Sequence, residues 1–229
     1  MIVYGKNVAK EILNNKKEIK KIYLSDNFND EEILNKIKNL KITILSKKEM
    51  DKMVKENHQG IILEINDYEY ASLECILQSE NPLIVILDHI EDPHNLGAII
   101  RTCEAAGVDG IIIPKNRSVQ VNSTVMKTSA GALENVKLCM VTNLANTIEK
   151  LKKQGFWFVG TDMEGTPYKD IDYSSKTCII IGNEGFGMSR LIKEQCDFIA
   201  TIPMKGKVNS LNASVAAGII IFEAVSKRK

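Results

Sequence analysis

Net charge and paired cysteines are what this chain most lacks. Thirty Lys+Arg oppose twenty-nine Asp+Glu, a formal charge of +1 at pH 7, so the chain as a whole is no polycation gripping nucleic acid, and any basic surface must be local. The five cysteines, at 75, 103, 139, 178 and 196, are odd in number and include no Cys-x-x-Cys. That excludes a disulfide framework and a zinc-ribbon spacing. His58, His89 and His94 lack the close helical spacing of metal ligands, so no metal is expected. The longest nearly apolar run, Ala213 to Phe222, is broken by Ser214 and falls short of the ~20 residues a membrane span needs. Met1 leads into Ile2-Val3-Tyr4-Gly5-Lys6 without the pattern of a secretory signal, so a cytoplasmic location is expected. There is no internal repeat and no low-complexity segment.

What is present reads as an ordinary globular chain. Hydrophobic residues make up 44% and charged residues 26% of 229 residues, which argues against disorder and coiled coil and leaves room for one large domain or two modest ones. One local excess of charge stands near the start, where Lys6, Lys10, Lys16, Lys17, Lys20 and Lys21 face only Glu11 and Glu18. On charge alone a solvated helix face and an RNA contact are equally good accounts of it.

The first sixty-odd residues alternate short helical and strand patterns. Ile22-Tyr23-Leu24 and Ile42 to Leu45 read as strands, Asp30 as the N-cap of a helix with Ile33, Leu34 and Ile37 on one face, and Ser46 as the cap of another. Gly60 to Ile65 closes this small α/β unit, assigned to residues 1–70, and the polar stretch that follows predicts a linker at 71–81. From residue 82 to 229 the strands become continuous apolar runs, Leu83 to Leu87, Gly110 to Ile113 and Cys178 to Ile181, as expected of parallel strands covered on both faces. Helical patterns at Asn95–Ala106, Leu144–Lys153 and Asn212–Ser226 lie between or after them. The fold class is therefore α/β, with an open, mainly parallel sheet whose ligands sit beyond the carboxyl ends of the strands.

Three loops of this second region carry candidate chemistry. The first, Asp88 to Gly97, is stiffened by Pro93 and runs into a helix presenting Arg101 and Glu104. By itself it reads best as a cap plus an Arg101 to Glu104 pair. The second, Gly182-Asn183-Glu184-Gly185-Phe186-Gly187, is neither a dinucleotide fingerprint nor a P-loop, and its glycines invite a close approach to the backbone. An acid among glycines suits a hydroxyl-rich or cationic ligand better than phosphate. The third, Thr201 to Asn212, ends at the last helix, with Ser210 and Asn212 as candidate caps and Lys205 and Lys207 at its tip.

Together these loops resemble the three motifs of the knotted SPOUT class of methyltransferases, in the SpoU/TrmH branch that methylates ribose 2′-hydroxyls in RNA. The matching pieces are Asp92-Pro93-His94-Asn95-Leu96-Gly97 with Arg101 and Glu104, Gly182-Asn183-Glu184-Gly185 with Gly187, and Ile202-Pro203-Met204 with Asn209-Ser210-Leu211-Asn212. Ser129 to Glu134, Tyr4 to Val8 and Asn57-His58-Gln59-Gly60 resemble the subgroup with an N-terminal RNA-binding domain that modifies guanosine in 23S rRNA.

The resemblance implies S-adenosylmethionine as cofactor, no metal, a C-terminal trefoil knot and a homodimer. It implies cofactor contacts from Gly182, Ile202 and Leu211, and a reaction site of Asn95, Arg101, Glu184, Ser210 and Asn212, supported by Glu104, Asn183, Gly185 and Met204. Lys16, Lys17, Lys20 and Lys21 become the candidate RNA-holding surface. A bulky residue at Gly182 is expected to fill the space where backbone meets cofactor while leaving the fold intact. The family proposal casts the matching arginine as base, but a guanidinium with a pKa above ~12 is a poor one. Arg101 is better suited to fix a phosphate and stabilise the developing alkoxide. The competing readings are a tRNA guanosine or antibiotic-resistance rRNA methyltransferase and, from another class, a catalytically silent RNA-binding ribosome-assembly protein. The intact set of polar motif residues argues against the last, and an NAD-type oxidoreductase lacks its fingerprint.

Overall fold

The computed structural model describes residues 1–15 and 18–228, and the chain divides into two compact units: residues 1–69 with 121–131, and residues 70–120 with 132–229.

In the first unit, β1 (Ile2–Tyr4), β2 (Ile19–Ser25), β3 (Ile42–Leu45) and β4 (Ile61–Ile65) form a sheet in the order β1-β4-β2-β3, in which only β2 and β3 are parallel. Helices α1 (Lys6–Asn14), α2 (Glu31–Ile37) and α3 (Lys47–Met53) connect the strands. Asp30 caps α2 by accepting from the Ile33 amide at 3.3 Å, and Ile33 and Ile37, one turn apart, are fully buried. Leu34, expected on the same face, stands 100° further round the helix and is 37% exposed. Ser46 and Glu49 form a capping box on α3, each satisfying a donor the helix leaves open.

The two early motifs meet in this unit. Gln59 and Gly60 turn through positive φ, and the Gln59 side-chain oxygen accepts from the Lys6 amide at 2.9 Å. It caps α1 where Gly5, at φ 94°, has no side chain to do so. Helix α5 (Ser123–Ser129) also belongs here, packed on β1 and α1 with Val125 and Met126 buried. Sequence periodicity does not indicate β1, which has three residues, or α5, whose only apolar residues, Val125 and Met126, are adjacent and set no period.

The second unit is built on β5 (Leu83–Asp88), β6 (Gly110–Pro114), β7 (Leu138–Val141), β8 (Trp157–Pro167), β9 (Thr177–Gly182) and β10 (Phe198–Thr201). All six are parallel, in the order β10-β8-β9-β5-β6-β7. Every residue of β5 and β9 is buried, the state their unbroken apolar runs predict. Helix α4 (Pro93–Ala106) turns Leu96, Ile99, Ile100 and Cys103 into the core, and α8 (Ala213–Ser226) packs on it. The remaining helices are α6 (Leu144–Lys152) and α7 (Arg190–Lys193).

Residues 71–81, expected to be a linker, pack within this unit. Ala71 bridges Cys139 at the edge of β7, and buried Ile76 lies so close to Gly110 that a Cβ there would sit 2.4 Å from its side chain. The apolar stretch around Ile76, short as it is, covers the start of β6. Among the described residues no helix is long and apolar enough to cross a membrane, and no cluster of His, Cys, Asp and Glu is arranged to hold a metal.

Candidate active site

Parallel register sets β5 and β9 side by side, with Asp88 opposite Gly182, so the first and second motif loops leave the sheet as neighbours. They are tied together at their roots. The buried Asp88 carboxylate accepts from the Ser189 amide at 2.7 Å and from the His89 ring at 2.6 Å. In return, the Asn183 side chain donates to the His89 carbonyl at 2.7 Å. His89 is held at φ 62°, a conformation that costs an L-residue free energy and persists only where its surroundings fix it.

Above this clasp the three motif loops converge on one chain of hydrogen bonds. Asn212 is the N-cap of α8: its side-chain oxygen accepts from the Ser214 amide at 2.9 Å and the Ser214 hydroxyl at 2.6 Å. Its amide nitrogen donates to the Asn95 oxygen at 2.9 Å, and the Asn95 nitrogen donates to Glu184 at 2.8 Å. The direction of the chain is fixed at both ends. Helix amides can only donate and an ionised carboxylate can only accept, so each Asn has one workable orientation. Asn95 is buried and does not cap its helix, because Asp92 does so by accepting from His94 at 3.0 Å. Asn95 sits in the first turn with its amide committed to the other two loops.

The second loop folds back on itself. Asn183 and Gly187 pair as an antiparallel bridge, and the Asn183 side-chain oxygen accepts from Gly185 at 2.8 Å and Phe186 at 3.3 Å. A Cβ on Gly182 would lie 2.4 Å from both the Gly187 carbonyl carbon and the Met188 nitrogen. This corrects the expectation that a bulky residue at Gly182 spares the fold: the atoms in its way belong to the loop's own backbone.

The other motif residues are placed more loosely. Gly182 is buried, Ile202 and Leu211 are half-buried, and Gly185, Met204 and Ser210 are exposed. Arg101 is exposed on α4 and, among the described residues, has no ion pair. The pairing of Arg101 with Glu104 does not form; Glu104 instead accepts from the Asn135 side chain at 3.4 Å. Nor does Ser210 share in capping α8, which Asn212 does alone. Among the described residues, none of the peptide groups from 203 to 211 bonds to another backbone group. Asp88 was not singled out by sequence, since an acid ending a buried strand signals nothing until its partners are known.

The early lysines differ from one another. Lys10 lies 2.8 Å from Glu32 and 3.4 Å from Asp30, and Lys6 is 3.8 Å from Asp30, so that part of the basic excess is neutralised within the unit. Lys10 and Lys36 together hold the Glu32 carboxyl down at about 2. Lys20 and Lys21 are both exposed because the β2–β4 register shifts between Ile19 and Lys21, and Lys21 stands 3.7 Å from Glu64. Lys16 and Lys17 lie outside the described residues.

Convergent polar loops beyond the carboxyl ends of an all-parallel sheet are where open α/β proteins hold their ligands. Residues 82–222 match the SpoU rRNA methylase family, and residues 2–71 match the domain described as RNA 2′-O ribose methyltransferase substrate binding. The chain belongs to the SpoU rRNA methylase family, and it is an S-adenosylmethionine-dependent RNA 2′-O-methyltransferase. A Bacillus subtilis protein assigned to the TrmH family of tRNA/rRNA methyltransferases is 42% identical, over 99% of this chain and 95% of its own. A Staphylococcus saprophyticus protein assigned likewise is 45% identical over 100% and 96%. Among solved structures, the rRNA methyltransferase of Sinorhizobium meliloti with bound AdoMet is 27% identical at TM-score 0.80, covering 97% of this chain and 85% of that one. AviRb of Streptomyces viridochromogenes shares the fold at TM-score 0.83 and 23% identity, over 99% and 90%.

Proposed function

We propose that this enzyme methylates the ribose 2′-hydroxyl of a guanosine in 23S rRNA, with the second unit holding cofactor and reaction site and the first unit holding RNA. The observation that carries this reading is the hydrogen-bonded chain from the α8 N-terminus through Asn212 and Asn95 to Glu184, which joins the three motif loops.

The residues present fit the cofactor. The peptide groups of 203–211, not bonded to other backbone among the described residues, are suited to grip a nucleoside and an amino-acid end; Met204 and Val208 expose apolar side chains within the same stretch, and Phe186 exposes one in the second loop. Gly182, Ile202 and Leu211 would hold it, largely by backbone groups. S-adenosylmethionine supplies a methyl group already activated on a sulfonium sulfur.

The chain's own residues then have to orient the ribose hydroxyl and manage its charge. Asn95, held at both ends of its amide, gives Glu184 a fixed position from which to accept a ribose hydroxyl. Arg101, charged and exposed, binds the adjoining phosphate and stabilises negative charge growing on the ribose oxygen. Ser210 orients the substrate. The trefoil knot and homodimer of the family belong to the same proposal.

The substrate is chosen over a tRNA guanosine because a complete N-terminal unit precedes the catalytic one. The test is methylation of naked 23S rRNA fragments and tRNA side by side, with the modified nucleotide located. A 2′-O-methylguanosine in 23S rRNA is expected. Modification of tRNA alone overturns the substrate, and modification of neither overturns the activity.

A further inference from the structure

The loop after β6 is not used by the site described above, yet it leaves the sheet at the same end. Strand β6 is the parallel neighbour of β5, so residues 115–120 emerge beside the loop that carries Asn95. Two bonds pin them there: the Ser118 hydroxyl donates to the Ile90 carbonyl at 3.1 Å, and the Val119 amide donates to the same oxygen at 2.9 Å. The Lys115 amide is anchored on Val141 at 2.8 Å, and the Gln120 side chain closes the loop onto the Lys115 carbonyl at 3.4 Å.

What this brace presents to solvent is Lys115, Asn116 and Arg117, all exposed. Among the described residues neither cation forms an ion pair, although the exposed acid Glu91 follows Ile90 directly. Arg117 is held at φ 54°, a left-handed conformation that an arginine adopts only at a cost. Among the described residues, no ion pair to its guanidinium repays that cost. Two exposed cations on a braced loop next to the reaction loop, without an ion pair among the described residues, are a surface for a polyanion.

We propose that Lys115 and Arg117 form a phosphate clamp that grips the RNA strand beside the methylated nucleotide, setting its register against Asn95 and Glu184. They are positioning residues: they touch the RNA backbone and not the reacting hydroxyl. The proposal rests on the RNA-methylating function above. Arg117 offers a planar fork matched to a phosphate and Lys115 a point charge, so the two should differ in what they lose on substitution.

The test uses the full-length protein with Lys115→Gln, Arg117→Gln, Arg117→Lys and the double glutamine variant, assayed for S-adenosylmethionine binding, RNA affinity against salt, and methylation kinetics. Cofactor affinity should be unchanged in all. Each glutamine variant should raise KM for RNA about tenfold with kcat nearly kept. Each should also reduce the slope of log affinity against log salt by about 0.7 to 0.9, the signature of one lost phosphate contact. Arg117→Lys should keep the salt slope and lose part of the affinity. Wild-type salt slope and KM in the double variant would overturn the clamp while leaving the methyltransferase reading intact. A wild-type protein that neither binds nor methylates RNA would overturn both.

Discussion

Asn95 and Glu184, 89 residues apart in the chain, share a 2.8 Å hydrogen bond whose other end is secured by Asn212 at 2.9 Å. Because Asn95 lies at the centre, removing its amide disconnects two loops at once. Asn95→Ala is expected to reduce methyl transfer by roughly tenfold to a hundredfold, the range for a lost hydrogen bond to a charged group at a reaction site. Thermal stability should change little, since Asp92 caps α4. Asn212→Ala should cost activity and also about 1 kcal/mol of stability through the α8 cap. The double variant should be less than additive in activity, because both changes break the same chain. Additive losses would mean that the two residues act separately.

Arg101 stands outside that chain, exposed on α4 without an ion pair among the described residues. A charged side chain left uncompensated is what a phosphate-binding role requires. Arg101→Ala should bind S-adenosylmethionine as the wild type does and lose methyl transfer, and Arg101→Lys should be nearly as poor, lacking the planar fork. Calorimetry and single-turnover kinetics on the same preparations separate the two effects. Wild-type turnover in the alanine variant would remove Arg101 from the site.

Much of this arrangement was legible in the residues. Unbroken apolar runs fixed β5, β6 and β9 as buried parallel strands, and the polar loops after them were located by where those runs stop. What periodicity cannot carry is partnership. Taken alone, the first loop reads best as a helix cap, and only the fold shows Asp92 capping while Asn95 bonds across the loops; Asp88 gave no signal because its partners, Ser189 and His89, are set by strand register. β1 has three residues and α5 only two apolar ones, adjacent to each other, too few for a period to emerge, and α5 packs with the first unit although the chain around it belongs to the second. That topology also changes how the RNA-holding role should be tested. Cutting the chain near residue 80 would remove buried Ile76 and strip the cover from Val125 and Met126, so charge substitutions at Lys20 and Lys21 are the cleaner probe.

Gly182 offers a contrast between ligand contact and loop geometry. A Cβ there meets backbone atoms of Gly187 and Met188 at 2.4 Å, and backbone cannot move aside as a side-chain tip can. Gly182→Val should therefore lower the melting temperature by several degrees, in line with about 1–3 kcal/mol for overpacking, and lose cofactor binding as a consequence. Scanning calorimetry and cofactor titration of one preparation distinguish the cases. Loss of binding at an unchanged melting temperature would return Gly182 to direct contact with the cofactor.

The first unit should show a defined response to acid through Glu32. Hydrogen bonds from Lys10 and Lys36 bring its carboxyl from 4.5 to about 2, so the folded state binds the proton more weakly than the unfolded state. A depressed carboxyl contributes stability that is fully present above pH 4.5 and is lost as pH falls through 2. Glu32→Gln should accordingly lower the melting temperature at pH 7, with the gap to the wild type closing between pH 4.5 and 2. The pair is solvent-exposed, so the effect should be small and should shrink further in high salt. Lys10, whose amine is raised from 10.5 by Glu32 and Asp30, works in the opposite direction: its contribution is present below pH 10.5 and fades above it. Thermal unfolding of both proteins at pH 7, 4 and 2.5, each at two salt concentrations, measures this directly. A gap that stays constant across the three pH values would show that Lys10 and Lys36 leave Glu32 unperturbed in solution.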